Sequence, residues 1–401
     1  MLVRIVIILV LLIYVLSVVA VLTIPAPADT RSRVDGEPRN EPAAEMPRRA
    51  ETLPQLVGIT LNLYHTDDVQ RHVNAVDRIA ALGFNTLHAV SPVFQRDGAA
   101  NEIERIVGEP GRALQRDQIV RVLGHAKERG LRVTLMPQIN FTAPRGNEWR
   151  GKIQPDRWRD WWTSYKRMMH AQLDIAKEAE VDLFIIGCEL LSTQKPTHEA
   201  RWREIVALAR ENFDGPLSYS TNWDSYQTVP FWDELDAIGI SGYWDLTRNA
   251  DDAAAPTAEE LRARWEEIRK TVLTYADRQK RPILLTEIGY PSLPWALRDP
   301  WNYVNPDGLT ADHEAQARGY RSFLDAWSEL IRPPRSAAAR EGVTVNTPQV
   351  RWRLPDARVA GVLFYGWDID HAGGARDTGY GIAGKPAHDL LRRWLAGEAL
   401  R

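Results

Sequence analysis

The chain has 401 residues, 44 % hydrophobic and 26 % charged, proportions ordinary for a folded globular protein. They exclude wholesale disorder, a collagen-like repeat and a polytopic membrane protein. Lys and Arg number 50 against 53 Asp and Glu, so the net charge of −3 lacks the overall basic excess of a typical nucleic-acid binder. A single cysteine excludes an intramolecular disulfide and a Cys-rich zinc or iron–sulfur site. Trp is unusually abundant at 15, above Tyr at 12 and Phe at 8.

From Ile5 to Ile24 the sequence carries no charge. At about 1.5 Å per residue such a run spans a bilayer as a helix. Residues 1–24 are therefore expected to be a membrane anchor, or a long signal segment if cleaved, with Ala26-Pro27-Ala28 a poor cleavage site. Either places the rest of the chain outside the cytoplasm. Residues 25–52, rich in Pro, Ala, Arg and Glu without periodicity, read as a flexible linker.

The remainder, residues 53–401, alternates apolar runs with amphipathic stretches. A strand at Val57–Leu61 precedes a helix whose Val69, Val73, Val76 and Ala80 share one face. Strand Phe84–Val90 and helix Gln115–Arg129 follow, then strand Leu131–Met136, expected to end at Pro137. Pro155 and Asp156 open a helix to about Ala179. Next come strand Asp182–Gly187, helix Thr197–Asn212, strand Leu217–Thr221, helix Ser225–Leu235 and strand Ala237–Ser241. Thr257-x-x-Glu260 is a capping box for a helix to about Asp277. Strand Ile283–Thr286, helix Ala311–Ile331, strand Val359–Tyr365 and helix Ala387–Leu395 complete the series, with Arg335–Pro348 a polar loop insertion. Eight strands, each followed by a helix, predict a (β/α)₈ TIM barrel.

Such barrels carry their chemistry where the strands end. In order, the strand ends bring Asn62, Gln138 and Asn140, Cys188-Glu189, Asn222-Trp223-Asp224, Tyr243-Trp244, Glu287, and Trp367-Asp368. Glu189 and Glu287 each close an apolar β-rich run, where a carboxylate is costly to desolvate unless it is paired or used. Two carboxylates across a pocket are the machinery of glycoside hydrolysis: a general acid for the leaving oxygen and a nucleophile or base. The aromatic residues at the strand ends suit the C–H faces of pyranose rings, and Asn222 and Gln138 suit sugar hydroxyls. Trp158, Trp161, Trp202, Trp265, Trp327 and Trp394 fall on helical stretches and read as packing.

Gly379-x-Gly381-x-x-Gly384 matches the dinucleotide fingerprint only as a string, since too little chain follows for a second strand. Asp368, Asp370 and Asp377 lack EF-hand spacing and read as a loop rimming the pocket. Neither a metal nor a cofactor is expected. Cys188 reads as a small buried filler.

In several segments the chain resembles glycoside hydrolase family 113, the retaining β-mannanases of clan A and their uncharacterised relatives. These are Trp149-Arg150-Gly151-Lys152-Ile153, Trp161-Trp162-Thr163-Ser164-Tyr165, Ile186-Gly187-Cys188-Glu189-Leu190, Ile238-Gly239-Ile240-Ser241-Gly242-Tyr243, Leu285-Thr286-Glu287-Ile288-Gly289-Tyr290, and Gly379-Tyr380-Gly381 with Gly384-Lys385-Pro386. The resemblance implies that Glu189 is the acid/base, Glu287 the nucleophile and Tyr243 its support, with Trp367 flooring the subsite of cleavage and Tyr290 near the substrate. It departs from clan A at Cys188, where Asn is usual, and from closer relatives at Gln138, where His is expected. The expected function is a retaining β-glycosidase acting on β-1,4-mannan-type chains. Another clan A glycosidase, such as a glucanase or galactanase, and a silent polysaccharide-binding barrel are the alternatives.

Overall fold

In a computed structural model, residues 49–64, 68–108, 111–247, 256–334, 350–370 and 373–400 are described. The expected anchor, the linker up to residue 48 and the insertion Arg335–Pro348 lie outside these residues. Among the described residues no helix is long and apolar enough to cross a membrane.

The strands are β1 (Arg49–Thr52), β2 (Leu56–Asn62), β3 (Thr86–Gln95), β4 (Ile103–Arg105), β5 (Arg132–Phe141), β6 (Leu183–Cys188), β7 (Leu217–Asn222), β8 (Ala237–Ser241), β9 (Ile283–Ile288), β10 (Val350–Arg353) and β11 (Val359–Trp367). The helices are α1 (Val69–Leu82), α2 (Arg116–Glu128), α3 (Trp158–Glu178), α4 (Glu199–Asn212), α5 (Ala258–Gln279), α6 (His313–Trp327) and α7 (Pro386–Leu395). Strands β2, β3, β5, β6, β7, β8, β9 and β11 pair in parallel, and β11 returns to β2 to close the barrel. Short β4 adds antiparallel to the far end of β3.

The core has two layers. Inside the barrel, Leu56, Val90, Met136, Leu183, Ile185, Ala237, Leu284, Ala360 and Leu363 fill the axis. Outside it, the opposite faces of the strands meet the helices through residues such as Ile59, Val133, Phe184, Ile240 and Phe364. Burial on both faces is why these strands read as apolar runs rather than alternating ones. The expected capping box forms: the Thr257 side chain accepts from the Glu260 amide at 3.2 Å, and the Glu260 carboxylate accepts from the Thr257 amide at 2.7 Å.

Three expectations are corrected. The last four residues of the expected linker, Arg49–Thr52, are a strand, in parallel register with Val350–Arg353. Leu53 follows and, with Trp352 and Leu354 packed beside it, plugs the lower end of the barrel. The strand expected to stop at Pro137 continues to Phe141. Val133 sends both its amide and its carbonyl toward Asp182 on the β6 side, so alternation turns Pro137 the same way. The β5–β6 ladder has already ended at Leu135–Phe184, so no partner misses the absent N–H. The helix expected at Ser225–Leu235 is two short 3₁₀ turns, Tyr226–Thr228 and Trp232–Glu234. Pro230 between them lacks the amide an α-helix needs and biases Val229 toward extended backbone, where it sits at ψ 118°.

One buried charge fixes the lower rim. Asp182 is closed to solvent; it accepts from the Val133 amide at 2.7 Å and pairs with Lys127 at 2.8 Å and Arg132 at 3.1 Å. Asp182→Ala leaves two cations and an amide without their partner. It is expected to cost about 3 kcal/mol, read as a lowered urea midpoint with an unchanged m value.

Candidate active site

Three of the strands that carry the site slip register near their upper ends. On β9, Leu285 pairs with Ile240 but Glu287 pairs with Ser241, which leaves Thr286 as an extra residue. Strict alternation from Leu284, which faces the axis, would have put Thr286 inside and Glu287 outside. The bulge lets both serve the site. Thr286 enters a hydroxyl layer below the mouth, 2.6 Å from Ser220, which is itself 3.0 Å from Ser241. Glu287 turns its carboxylate to Tyr243 above it. On β6, Ile185 and Cys188 both face the interior although three positions apart, because the ladder to β7 slips between them. The third slip lies on β11 between Phe364 and Trp367.

Glu189 follows β6 with φ at +53°, a left-handed conformation that a side chain adopts only under local constraint. The constraint is visible. The Glu189 amide donates to the Ser220 carbonyl at 2.8 Å, and the Leu190 amide donates to the Tyr219 hydroxyl at 3.0 Å. Gln194 donates to that same hydroxyl at 2.9 Å and to Thr221 at 2.6 Å. Below, the Tyr165 hydroxyl reaches the Ile186 carbonyl at 2.6 Å, and only Gly187 leaves room for it, since a Cβ there would stand 2.7 Å from the phenolic oxygen.

The two carboxylates are nearly closed to water: Glu189 is 8 % and Glu287 4 % exposed. Glu189 pairs with Arg150 at 3.1 Å. Glu287 accepts from the Tyr243 hydroxyl at 2.5 Å through one oxygen, and its other oxygen has no protein partner. Burial pushes the Glu287 carboxyl above the ordinary carboxylate range, and the charge of Glu189 adds to this. The Tyr243 hydrogen bond and the Arg150 guanidinium pull the other way. Cys188 touches the Gln138 amide through Sγ at 3.5 Å, and burial raises its thiol far out of the thiolate range, so it serves as a neutral filler.

Of the expected binding residues, several converge on this mouth. The Tyr64 hydroxyl donates to Gln138 at 2.7 Å and accepts from Asn140 at 3.1 Å. Asn62 donates to the Tyr365 hydroxyl at 3.0 Å. Asn222, on the inward face of β7, keeps an unsatisfied buried carbonyl oxygen. Trp223 meets Tyr243 edge to face, 6.2 Å between ring centres. Asp368 accepts from the Asp370 amide at 2.7 Å in the loop above β11.

Three expected residues lie elsewhere. Tyr290 is fully buried between barrel and helix, its ring where a Cβ on Gly319 would come within 2.4 Å, and edge-on to Tyr320 at 5.3 Å. Trp244 turns outward onto Trp265 of α5, 6.0 Å away. Trp367 faces the helix layer, with the Arg78 guanidinium 5.6 Å and the His388 ring 6.4 Å from its own. The β11 slip explains the last case: one extra residue exchanges the faces, and Tyr365 takes the inward place. Tyr365, Tyr243 and Tyr380 form a ring cluster, with centres 5.3 to 6.5 Å apart.

Arg150, Tyr64, Tyr365 and Tyr380 are therefore site residues that strand-end reading passed over. A signal existed for all four. Tyr64 continues the inward alternation of Asn62, Tyr365 ends an expected strand, and Arg150 and Tyr380 lie in family-like segments. The loop carrying Tyr380 is pinned by Lys385, which is buried. Its ammonium meets Asp377 at 2.9 Å, Ser292 at 3.0 Å and the Gly379 carbonyl at 2.9 Å. A shallow cleft lined by Arg210, Asp236, Pro282 and Arg353 lies at the other end of the barrel, where strands begin, and has no part in this chemistry.

The family model for Glycoside Hydrolase Family 113 matches residues 64–330, a range that holds Tyr64, Arg150, Glu189, Tyr243 and Glu287 and stops before Tyr365 and Tyr380. The chain belongs to glycoside hydrolase family 113. Membership makes it a glycoside hydrolase, which sets aside the silent binding barrel. Among solved structures it is similar to a GH113 β-1,4-mannanase captured as a complex, at 20 % identity and TM-score 0.66, covering 86 % of this chain and 100 % of that one. It is also similar to the GH113 β-mannanase of Alicyclobacillus acidocaldarius in complex with ManMIm, at 24 % identity and TM-score 0.65, covering 86 % and 99 %. These likenesses carry the barrel fold. No curated protein matches the chain.

The raised Glu287 carboxyl has a thermodynamic consequence. The folded state binds its proton more tightly than the unfolded state, so this group's contribution is intact below about pH 4.5 and is lost as pH rises beyond it. Glu287→Gln, neutral at every pH, is expected to melt higher than wild type by about 2–4 °C at pH 8. The gap should shrink toward pH 4.5. Melting curves across that range would contradict the assignment if the gap were constant.

Proposed function

We propose that the protein is a retaining endo-type β-1,4-mannanase, acting through Glu189 as acid/base and Glu287 as nucleophile. The observation that carries this reading is the pair of buried carboxylates at the ends of β6 and β9, held in unlike settings. Glu287 keeps one oxygen bound to Tyr243 and the other unpartnered, an arrangement that suits in-line attack on an anomeric carbon. Glu189 sits beside Arg150, whose positive charge also favours the ionised form of Glu287, so that the one proton the pair shares at the start of the reaction rests on Glu189.

In the first step the Glu189 carboxyl gives its proton to the glycosidic oxygen while a Glu287 oxygen bonds to the anomeric carbon and the leaving sugar departs. In the second, Glu189 takes a proton from water, whose oxygen attacks the same carbon and frees Glu287. Each displacement inverts the centre, so the product keeps its β configuration. Asn222, Asn62, Gln138 and Tyr64 provide donors and acceptors for hydroxyls, and the Tyr365 ring provides a face for a pyranose. Mannan-type substrates follow from the family, and a glucan or galactan remains the nearest alternative substrate. The apolar run before residue 25 supports placement of the barrel outside the cytoplasm, tethered or released.

Glu287→Ala is expected to lower kcat on β-1,4-mannan by at least about 10³-fold while retaining oligosaccharide binding. Early-time proton NMR of the wild-type digest should show the β anomer first. Appearance of the α anomer first would refute the double displacement.

A further inference from the structure

Among the described residues, the exposed large hydrophobic side chains are Trp301, Tyr303, Val304 and Leu309, at 50, 65, 58 and 40 % exposure. All four belong to one segment, the connection between β9 and α6. Because β9 carries Glu287, this connection leaves the barrel at the face that holds the chemistry. It is longer than connections usually are in a compact domain, a length that is commonly functional. Apolar side chains gathered in one patch are a cost that a folded surface avoids unless something covers them.

The segment is built rather than merely exposed. The Trp295 indole donates to the Asn302 carbonyl at 2.8 Å, and the Tyr380 hydroxyl donates to the Pro300 carbonyl at 2.6 Å. Asn305 closes the far turn with Leu309, through its side-chain amide at 2.9 Å and its side-chain oxygen at 2.9 Å. Trp301 and Tyr303 thus flank a pinned residue. The Tyr303 ring meets the Tyr380 ring at 6.1 Å, and Tyr380 meets Tyr243 at 5.9 Å, where Tyr243 binds Glu287. Two ring-to-ring steps, each comparable to one sugar unit, join the cleavage point to the exposed aromatics. The ring contacts run without a break from Tyr303 to the residue that binds Glu287, and the outer members, Trp301 and Tyr303, are exposed aromatics of the kind whose faces take pyranose C–H bonds.

We infer that Trp301 and Tyr303 form a distal carbohydrate subsite that stacks a pyranose ring of the bound β-linked chain beyond those at the cleavage point. The inference rests on the glycosidase reading of the site and extends it to chain length: the enzyme favours long chains because a remote ring is held there. Binding energy gained so far from the bond that breaks raises the efficiency on long substrates selectively.

The test compares wild type with Trp301→Ala/Tyr303→Ala and with Tyr303→Phe, using β-1,4-mannohexaose and a short aryl β-mannoside. The double variant is expected to lower the long-to-short ratio of kcat/KM by about tenfold, as the loss of one stacking contact implies. Tyr303→Phe should retain most of the ratio. A double variant that melts like wild type with an unchanged ratio overturns the subsite while leaving the catalytic reading in place. Calorimetric binding of mannohexaose to Glu287→Ala, with and without the double substitution, separates the two claims. If no β-mannoside is hydrolysed by wild type yet binding weakens tenfold, the subsite stands and the proposed activity falls. A wild-type dimer that the double variant converts to monomer would assign the patch to self-association and overturn the inference.

Discussion

A guanidinium set beside two carboxylates, in a pocket almost closed to water, is the constraint from which the upper half of this barrel follows. Each of these charges would be expensive to bury alone. Arg150 pairs directly with Glu189 and its field reaches Glu287, whose carboxyl is pushed toward the neutral form by burial and by Glu189. Tyr243 then anchors one oxygen of Glu287 and leaves the other open. A site assembled in this way holds its charges in fixed positions before substrate arrives, the condition under which electrostatic stabilisation of a transition state is most effective.

Holding those groups requires the barrel to depart from its own regularity. Register slips lie on β6, β9 and β11, the strands that bring Cys188 with Glu189, Glu287, and Tyr365. Each slip turns a side chain that strict alternation would send to the helices back toward the mouth, or the reverse. The left-handed backbone of Glu189 belongs to the same design. It persists because hydrogen bonds from β7 and the following turn over-determine it. Beside the β9 slip, the hydroxyls of Ser220, Ser241 and Thr286 satisfy one another inside the barrel.

The loops above the barrel then set what the site can hold. Lys385 and Gln316 bind the carbonyls around Gly379 and Tyr380, which fixes one wall. From that wall the aromatic contacts run outward to the segment between β9 and α6. The abundance of Trp thus has two physical origins. One is packing, as Trp161, Trp202, Trp265 and Trp327 are fully buried between strands and helices. The other is display, as at Trp223 and Trp301 near the mouth.

Much of this was legible in the chain alone. Eight apolar runs alternating with amphipathic stretches determine a parallel sheet covered on both sides, because only that arrangement buries both faces of every strand. Two glutamates at the ends of such runs mark where the chemistry is to be sought, since burial makes an idle carboxylate costly. The family-like segments around Arg150, Glu189 and Glu287 point to the same conclusion. What the tertiary structure decided was direction and partnership. Tyr290, Trp244 and Trp367 follow strands just as Glu287 and Tyr243 do, yet they face the helices. A one-residue slip is invisible in a pattern of period two until the neighbouring strand fixes the register. Arg150, Tyr64 and Tyr380 come from loops, and their convergence is set by closure of the barrel rather than by any spacing along the sequence.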